Sequence, residues 1–471
     1  MKKQDLFRNI PKVDDLLNNE KIMNRIGDEP REIIKYFIDE ELSLLRRTIG
    51  GLDSSEIESF TISESKIIDS ILRNTKEYAE MNLKTVINGT GIVIHTNLGR
   101  SCISESVANV VFDSATKYSN LEFNLETGKR GHRYNHIEEL ICRLTGAEGA
   151  MVVNNNAAAV MLVLDTLAKN KEAIVSRGEL VEIGGSFRVP DVMKRSGTTL
   201  REVGTTNKTH LRDYENAITE ETGVLLKVHT SNYRILGFTK SVEREDLVTL
   251  GKNRNIPVYE DLGSGLLFDF SDKINIDEPT VQEIVKKGVD VISFSGDKML
   301  GGPQSGIIVG KRKYIEEMKY NQLTRALRVD KMTLAALEGT LRQYLDIDVL
   351  IKNNPTIKNI LLEGEEILKK AEDLRGILDE IKDLSTEIIK DTSQVGGGSM
   401  PLTQLETYGV VISIKGYKPD ELSKNLRLSS NPVVGRIKND QFIIDLRTVE
   451  NKEFYKIKES LIEIISGGNN V

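Results

Sequence analysis

Residues 291–306 of the chain, VISFSGDKMLGGPQSG, run from an apolar stretch of strand character into small polar residues, one lysine and then glycines. Lys298 is the reactive group of this segment, because a buried amine loses its charge readily and can then condense with an aldehyde. Ser295 lies three residues earlier, where its hydroxyl suits a cofactor phosphate, and glycines let the backbone approach a ligand closely. Taken alone, the segment is also compatible with a surface lysine in a glycine-rich turn.

Two segments upstream supply groups that would complete a cofactor site. Asp261 ends a short apolar strand 37 residues before Lys298 (298 − 261), and a carboxylate there can keep a pyridine nitrogen protonated. Residues 151–161, MVVNNNAAAVM, predict a strand, a tight polar turn and the start of a helix, whose N–H groups suit a phosphate. Each segment alone fits an ordinary turn or helix cap. The candidate phosphate-binding residues are Asn155, Asn156 and Ala157.

The spacing of apolar residues divides the chain into three predicted regions. Residues 1–82 have the apolar spacing of short helices, and we expect a helical N-terminal domain there. Residues 83–331 alternate short β-rich runs with helical stretches, which predicts a mostly parallel sheet covered by helices, with ligands at the carboxyl ends of the strands. Residues 332–471 predict a smaller α+β domain. The expected strands of the middle region are 150–153, 173–175, 224–228, 257–259, 289–294 and 306–309.

Composition narrows the class of protein. Of 471 residues, 29% are charged and 39% hydrophobic, as in ordinary globular proteins. The net charge of −7 and an N-terminal region (residues 1–80) with 13 Lys and Arg against 17 Asp and Glu give no support for nucleic-acid binding from charge. The longest apolar run, 157–164, is too short to cross a bilayer, so we expect a cytoplasmic protein. Cys102 and Cys142 are expected to be reduced thiols, and no metal site is predicted.

Competing motifs are absent from the sequence. It contains no GxGxxG and no HExxH, and residues 306–312, GIIVGKR, lack the loop length and the Ser or Thr of a P-loop. Dinucleotide-binding, zinc-protease and NTPase functions are therefore not indicated.

Three longer motifs carry a family resemblance: VINGTGIVIHTNLGRS at 86–101, GKRGHRY at 128–134 and FSGDKMLGGPQ at 294–304. They resemble the bacterial L-seryl-tRNA(Sec) selenium transferases, also called selenocysteine synthases, which are pyridoxal-phosphate (PLP) enzymes of fold type I. The order of phosphate turn, aspartate and lysine along the chain is typical of that fold. The resemblance covers essentially the whole chain.

The resemblance implies a function and several partners. The enzyme would convert L-seryl-tRNA(Sec) to L-selenocysteinyl-tRNA(Sec) with selenophosphate, through a dehydroalanyl intermediate, using PLP carried by Lys298. The positions that hold the selenophosphate anion in the family match Arg100, Arg325 and Arg328. Arg325 and Arg328 would share a face if they were helical. The N-terminal domain would help to recognise the selenocysteine tRNA, and the enzyme would assemble as a homodecamer of five dimers.

Two other functions stay open from the sequence alone. A PLP-dependent lyase that β-eliminates from a small amino acid or amino sugar acid would use the same lysine and aspartate. A non-catalytic RNA-binding or assembly protein could keep the fold, although intact Lys298, Asp261 and Ser295 argue against it. An aromatic ring stacked on the cofactor is expected in this fold, and four histidines are its candidates: His95, His132, His136 and His229.

Overall fold

The computed structural model describes residues 3–25, 30–180, 182–183, 187–230, 235, 237–271, 273–274 and 278–468. The chain divides into two compact units, Met1–Thr85 and Val86–Val471.

The first unit is helical. The longer of its helices bury one apolar stripe each, because positions such as Ile34, Ile38 and Leu42 recur at intervals of four residues and so share a helix face. The hydroxyl of Ser63 caps the last helix by accepting from the backbone N–H of Lys66. The helices are α1 (Lys3–Arg8), α2 (Val13–Leu17), α3 (Glu20–Arg25), α4 (Arg31–Gly51), α5 (Glu56–Ser59) and α6 (Glu64–Ala79).

A seven-stranded sheet forms the centre of the second unit. Its strands are β1 (Gly149–Val153), β2 (Glu172–Ser176), β3 (Thr199–Val203), β4 (Thr222–Val228), β5 (Val258–Gly263), β6 (Val291–Ser295) and β7 (Gly306–Gly310). Their order across the sheet is β1-β7-β6-β5-β4-β2-β3. Strand β7 is antiparallel to both of its neighbours, and the other pairs are parallel. The predicted mostly parallel α/β sheet is confirmed.

Helices cover both faces of this sheet, because its central strands are buried along their whole length. In β1, Ala150 and Val152 belong to one buried cluster, and Met151 and Val153 belong to the other. The helices between Val86 and Gln343 are α7 (Glu105–Thr116), α8 (Glu138–Thr145), α9 (Asn156–Leu167), α10 (Val189–Arg195), α11 (Leu211–Ala217), α12 (Arg244–Arg254), α13 (Val281–Lys286), α14 (Arg312–Tyr320), α15 (Leu323–Leu327) and α16 (Lys331–Gln343).

A second, antiparallel sheet follows with its own apolar core. Its strands are β8 (Leu384–Gly396), β9 (Ser399–Ile414), β10 (Arg436–Lys438) and β11 (Gln441–Asp445), in the order β8-β9-β11-β10. The remaining helices are α17 (Ile347–Asn353), α18 (Pro355–Leu361), α19 (Gly364–Leu378), α20 (Pro419–Leu428) and α21 (Phe454–Gly468).

The two sheets belong to one compact unit. The short strand Ile87–Asn88, near the start of the unit, pairs with Val433–Val434 from the C-terminal part. A shared buried cluster joins Val93 and Ile94 to Val395 and Leu405. The separate domain boundary expected near residue 331 stays a prediction.

Candidate active site

Lys298 lies in a long connection between β6 and β7, whose ends are fixed by the pairing of Ser295 with Gly306. Only 6% of Lys298 is exposed, and no described residue forms a hydrogen bond or ion pair with its amine. Burial lowers the pKa of Lys298, and nearby Asp261 opposes that shift in part. The structure therefore provides the buried, easily neutralised amine that the sequence predicts.

The main chain around Lys298 is held in place from two sides. The N–H of Met299 donates to the carbonyl oxygen of Ser264, at 3.1 Å, in the loop that follows β5. The Ser101 hydroxyl lies 2.9 Å from the carbonyl oxygens of both Asp297 and Lys298 and donates to this pair. Sequence reasoning missed the role of Ser101, although it is the last residue of the motif at 86–101.

Arg100, beside Ser101, reaches the same connection. Its Nη1 forms an ion pair with Oδ2 of Asp297 at 2.8 Å, and its side chain is 38% exposed. The backbone of Arg100 has a φ of 63°, a left-handed conformation that costs a non-glycine residue some strain. Its N–H donates to the carbonyl oxygen of His95 at 3.0 Å, which closes the turn. Arg100 is thus paired with the residue that directly precedes Lys298.

Asp261 is in β5, in register with Val228 of β4 and Ser293 of β6. Strand alternation places it on the same sheet face as Tyr259, whose neighbours in the buried cluster include Ala158 and Ala159 of α9. From that helix, Nδ2 of Asn156 donates to Oδ1 of Asp261 at 2.7 Å. Burial raises the pKa of Asp261, while the Asn156 hydrogen bond and the Lys298 charge act in the opposite direction.

The polar turn between β1 and α9 has the predicted form. Asn155 is the N-cap, and its Oδ1 accepts from the N–H of Ala158 at 2.9 Å. Asn156 and Ala157 follow in the first turn, where their N–H groups have no acceptor within the helix. Capping and phosphate binding are therefore compatible, because the cap uses a different N–H group.

Gly306 is required where β7 passes this turn. A Cβ atom at Gly306 would lie 2.5 Å from the carbonyl carbon of Asn155 and 2.9 Å from the nitrogen of Asn156. Only glycine lets the strand lie so close to the turn. Since Gly306 also pairs with Ser295, the turn and the lysine connection share one strand as their common support.

Arg325 and Arg328 line a cavity of about 320 Å³. We call it the arginine cavity, since its wall also includes Arg130 and Arg133 beside Glu122, His132 and Lys319. Glu122 pairs with three of these arginines: Nη2 of Arg133 at 2.6 Å, Nη2 of Arg130 at 3.0 Å and Nη1 of Arg328 at 3.2 Å. A single carboxylate among four guanidinium groups leaves a surplus of positive charge, as an anion site requires. Arg130, Arg133 and Glu122 had not been predicted, although the first two lie in the motif at 128–134.

Arg325 and Arg328 do not lie together in one helix, so the shared helix face that was conditional on a helical arrangement does not arise. Helix α15 ends at Leu327, and Arg328 is extended, with φ −69° and ψ 144°. Its backbone instead forms an antiparallel bridge with Val153, while the N–H of Asn154 donates to the carbonyl oxygen of Leu327 at 2.9 Å. Arg328 is thereby fixed to the strand end that leads into the phosphate turn. Arg100 is not among the residues that line the arginine cavity.

The four candidate histidines lie in different surroundings. His229 directly follows β4, its N–H donates to the carbonyl oxygen of Asp261 at 2.9 Å, and its Nε2 lies 3.1 Å from Oε2 of the buried Glu278. His95 closes the turn that carries Arg100, and burial lowers its pKa. His132 lines the arginine cavity, and His136 bonds to the Leu121 carbonyl oxygen at 3.2 Å. Of the four candidates, His229 is the one whose main chain is hydrogen-bonded to Asp261.

The described residues offer neither a metal site nor a membrane-spanning helix. None of their His, Cys, Asp and Glu side chains forms a group of three or more that could hold a metal ion. No helix in the same residues is both long enough and apolar enough to cross a membrane. Cys102 and Cys142 are free thiols.

The residues fit pyridoxal phosphate, because several buried groups of the site lack partners that the cofactor would supply. Asp261 is buried with one side-chain hydrogen bond from the described residues, which leaves Oδ2 available to a protonated ring nitrogen. The Lys298 amine has no hydrogen-bond partner among those residues, and Gly306 places no side chain against the main chain of the turn. Each group supplies what one part of the cofactor needs: an amine, a carboxylate and a phosphate cradle.

Fold and site together define a pyridoxal-phosphate-dependent enzyme of fold type I. The structure of a D-glucosaminate-6-phosphate ammonia-lyase shares this fold, with a TM-score of 0.58 and 20% identity over 84% of this chain and 99% of that one. The sequence profile of the L-seryl-tRNA selenium transferase family matches residues 86–450. The chain belongs to this family.

Relatives of similar length support the assignment. An L-seryl-tRNA(Sec) selenium transferase of Alkaliphilus oremlandii is 52% identical over 466 residues, which cover 99% of this chain and all of the relative. One from Clostridium botulinum strain Loch Maree is 51% identical over 467 residues, with the same coverage of each chain. The predicted family is therefore confirmed.

Proposed function

We propose that this enzyme converts L-seryl-tRNA(Sec) into L-selenocysteinyl-tRNA(Sec) with selenophosphate as the selenium donor. The position of Arg328 supports this proposal in addition to the family membership. Arg328 is bonded through its backbone to β1, directly before the phosphate turn, so an anion-binding cavity adjoins the cofactor machinery. A lyase that acts on a small free amino acid has no second anionic substrate that would need such a cavity. Against a lyase for a phosphorylated amino sugar acid, whose phosphate could use the cavity, stands the higher sequence identity to the selenium transferases, 52% compared with 20% for the D-glucosaminate-6-phosphate ammonia-lyase.

The cofactor end of the site would work through three groups of this chain. Bound pyridoxal phosphate supplies an electron sink for negative charge at the seryl Cα. Asp261 holds a proton at the ring nitrogen, and the N–H groups of Asn156 and Ala157, with the Ser295 hydroxyl, hold the phosphate. The Lys298 amine, which burial keeps easily neutral, removes the Cα proton and can later return it. These site assignments are the predicted ones, and they remain proposals.

Guanidinium groups would bind the selenium donor, selenophosphate. Selenophosphate carries several negative charges, and arginine remains charged while binding two oxygens at once. Arg325 and Arg328 would bind the anion, with Arg328 exchanging part of its interaction with Glu122 for the ligand. Arg133 is held more tightly than Arg328, because it binds both Glu122 and the carbonyl oxygen of Val329. It would therefore keep Glu122 in place and would not turn toward the selenophosphate. Arg100, which is paired with Asp297, would act from the Lys298 side.

The remaining partners rest on the resemblance. The helical unit would contribute to recognition of the selenocysteine tRNA, through local basic patches such as Arg46 and Arg47, since its overall charge is acidic. Assembly into a homodecamer of five dimers and a cytoplasmic location, where aminoacyl-tRNAs are used, belong to the same proposal.

The test is a conversion assay with a matched lysine control. Purified enzyme, loaded with pyridoxal phosphate, is incubated with serylated selenocysteine tRNA and selenophosphate, and selenocysteinyl-tRNA is measured. Lys298→Ala should lower the rate at least about 10²- to 10⁴-fold, because it removes the acid–base group. Lys390→Ala, which removes an exposed partner of Glu406, should keep wild-type activity.

Two outcomes would contradict the proposal. A wild-type enzyme that makes no selenocysteinyl-tRNA but releases ammonia or a keto acid from free serine would support the lyase. A Lys298→Ala variant that retains full activity would remove the lysine from the chemistry.

A further inference from the structure

Asn156 has a side-chain contact that phosphate binding does not explain. Its Nδ2 donates to Oδ1 of Asp261 at 2.7 Å, across 105 positions of sequence. Asp261 is 4% exposed, and its immediate neighbour on the strand, Glu260, is also a buried acidic residue. The other amide atom, Oδ1 of Asn156, is buried and has no hydrogen-bond partner among the described residues.

We propose that Asn156 is a positioning residue, whose amide fixes the Asp261 carboxylate so that Oδ2 faces the ring nitrogen of the cofactor. The inference rests on the cofactor site of the proposed function and adds a second role for a residue of the phosphate turn. One residue would then connect the two ends of the cofactor: its main chain binds the phosphate, and its side chain orients the carboxylate at the ring.

The support of Asn156 suits this role. It occupies the first position of α9, directly after the N-cap Asn155, and the turn is packed against Gly306. A side chain anchored at a capped helix start has little freedom, so it can hold a partner in one orientation. The Asp261 carboxylate gains a fixed donor in a place where burial otherwise favours its neutral form. An ionised Asp261 is the form that keeps the ring nitrogen protonated.

The amide of Asn156 would also determine the orientation of the Asp261 carboxylate. With Oδ1 of Asp261 engaged by the amide, Oδ2 is the carboxylate oxygen that has no side-chain hydrogen bond from the described residues, so it is the one that would face the ring nitrogen. Without the amide, Asp261 could rotate about its terminal torsion, which is broad and two-fold. Loss of the amide should therefore weaken cofactor binding and change the protonation of the bound ring.

The test measures cofactor binding without tRNA or donor. Cofactor-free protein is titrated with pyridoxal phosphate, and the dissociation constant and the pH dependence of the cofactor absorbance are recorded. Asn156→Ala should raise the dissociation constant about 10- to 100-fold, as expected for a hydrogen bond to a charged group. It should also shift the pH at which the absorbance changes.

Asn156→Asp provides a second, nearly isosteric variant. Two facing carboxylates repel each other at neutral pH, but one shared proton restores a donor as the pH falls. Its cofactor affinity should therefore recover at acidic pH, which a purely structural role for Asn156 would not produce.

Ser393→Ala is the matched control, because the Ser393 hydroxyl also holds a buried carboxylate, Oδ2 of Asp445, at 2.7 Å, but in the second sheet. It should lower the melting temperature and leave the cofactor constants unchanged. The proposal is overturned if Asn156→Ala behaves like this control. A wild type that binds no pyridoxal phosphate would instead overturn the proposed function itself.

Discussion

Replacement of Gly306 by alanine tests whether the close approach of β7 to the phosphate turn matters. The added Cβ would lie 2.5 Å from the carbonyl carbon of Asn155, whereas unstrained carbon atoms approach to about 3.5 Å. The strand or the turn must therefore move by at least about 1 Å, because the carbonyl oxygen of Asn155 would lie closer still to the added Cβ. The neighbouring atoms belong to the main chain, so no flexible side chain can absorb the change.

The expected cost follows from this displacement. Overpacking in a well-packed interior costs about 1–3 kcal/mol. If the turn moves, that energy appears as a cofactor dissociation constant raised between about fivefold and about 150-fold. If the strand moves, it appears as lower stability of the cofactor-free protein. A titration with pyridoxal phosphate and a denaturant unfolding curve measure the two contributions separately.

Gly376→Ala is the matched substitution for this experiment. Gly376 is exposed within α19, and a Cβ there would meet nothing within 4 Å. Alanine in a helix is favoured over glycine by about 1 kcal/mol, so this variant should be slightly stabilised and bind the cofactor normally. A Gly306→Ala variant that matches wild type in both stability and cofactor affinity would show that the close approach of β7 to the turn does not matter.

Two further predictions concern the charged groups of the site. Arg328→Ala should raise the KM for selenophosphate about tenfold, while Arg342→Ala, which removes an exposed partner of Glu338, should not; equal effects on the two variants would argue against the arginine cavity as the donor site. Asp261→Asn should stabilise the cofactor-free protein at pH 7. Because burial raises the pKa of Asp261 above its usual 3.8, its ionisation costs stability as the pH rises through the folded pKa. Unfolding curves at several pH values should show the difference between variant and wild type shrinking toward acidic pH, and a constant difference would contradict this assignment.

The strand ends and turns that carry the candidate site residues could be predicted from the sequence. Strand ends and turn residues are local properties, so the places of Asp261, Lys298 and the Asn155 cap followed from apolar runs and their polar ends. All six strands predicted for the middle region were found, and β3, with only Val203 buried, was missed because its pattern is weakly apolar.

Pairings between distant segments could not be predicted. The Asn156–Asp261 and Ser101–Lys298 contacts join residues more than 100 positions apart, and single-sequence patterns contain no information on which side chains meet. Helix α15 ends at Leu327, directly before the bridge between Arg328 and Val153, and that long-range pairing is likewise invisible in the local pattern. The arginine cavity likewise gathers residues from positions 122–134 and 319–328.

The position of β7 in the central sheet also determines when the cofactor site can arise during synthesis. This strand lies between β1 and β6, so the sheet stays incomplete on that side until residue 310 has been made. A nascent chain that ends at β6 contains the phosphate turn and Asp261 but neither the lysine nor the strand that supports the turn. Capture of pyridoxal phosphate should therefore be a late event, which makes the cofactor a reporter of a finished central sheet.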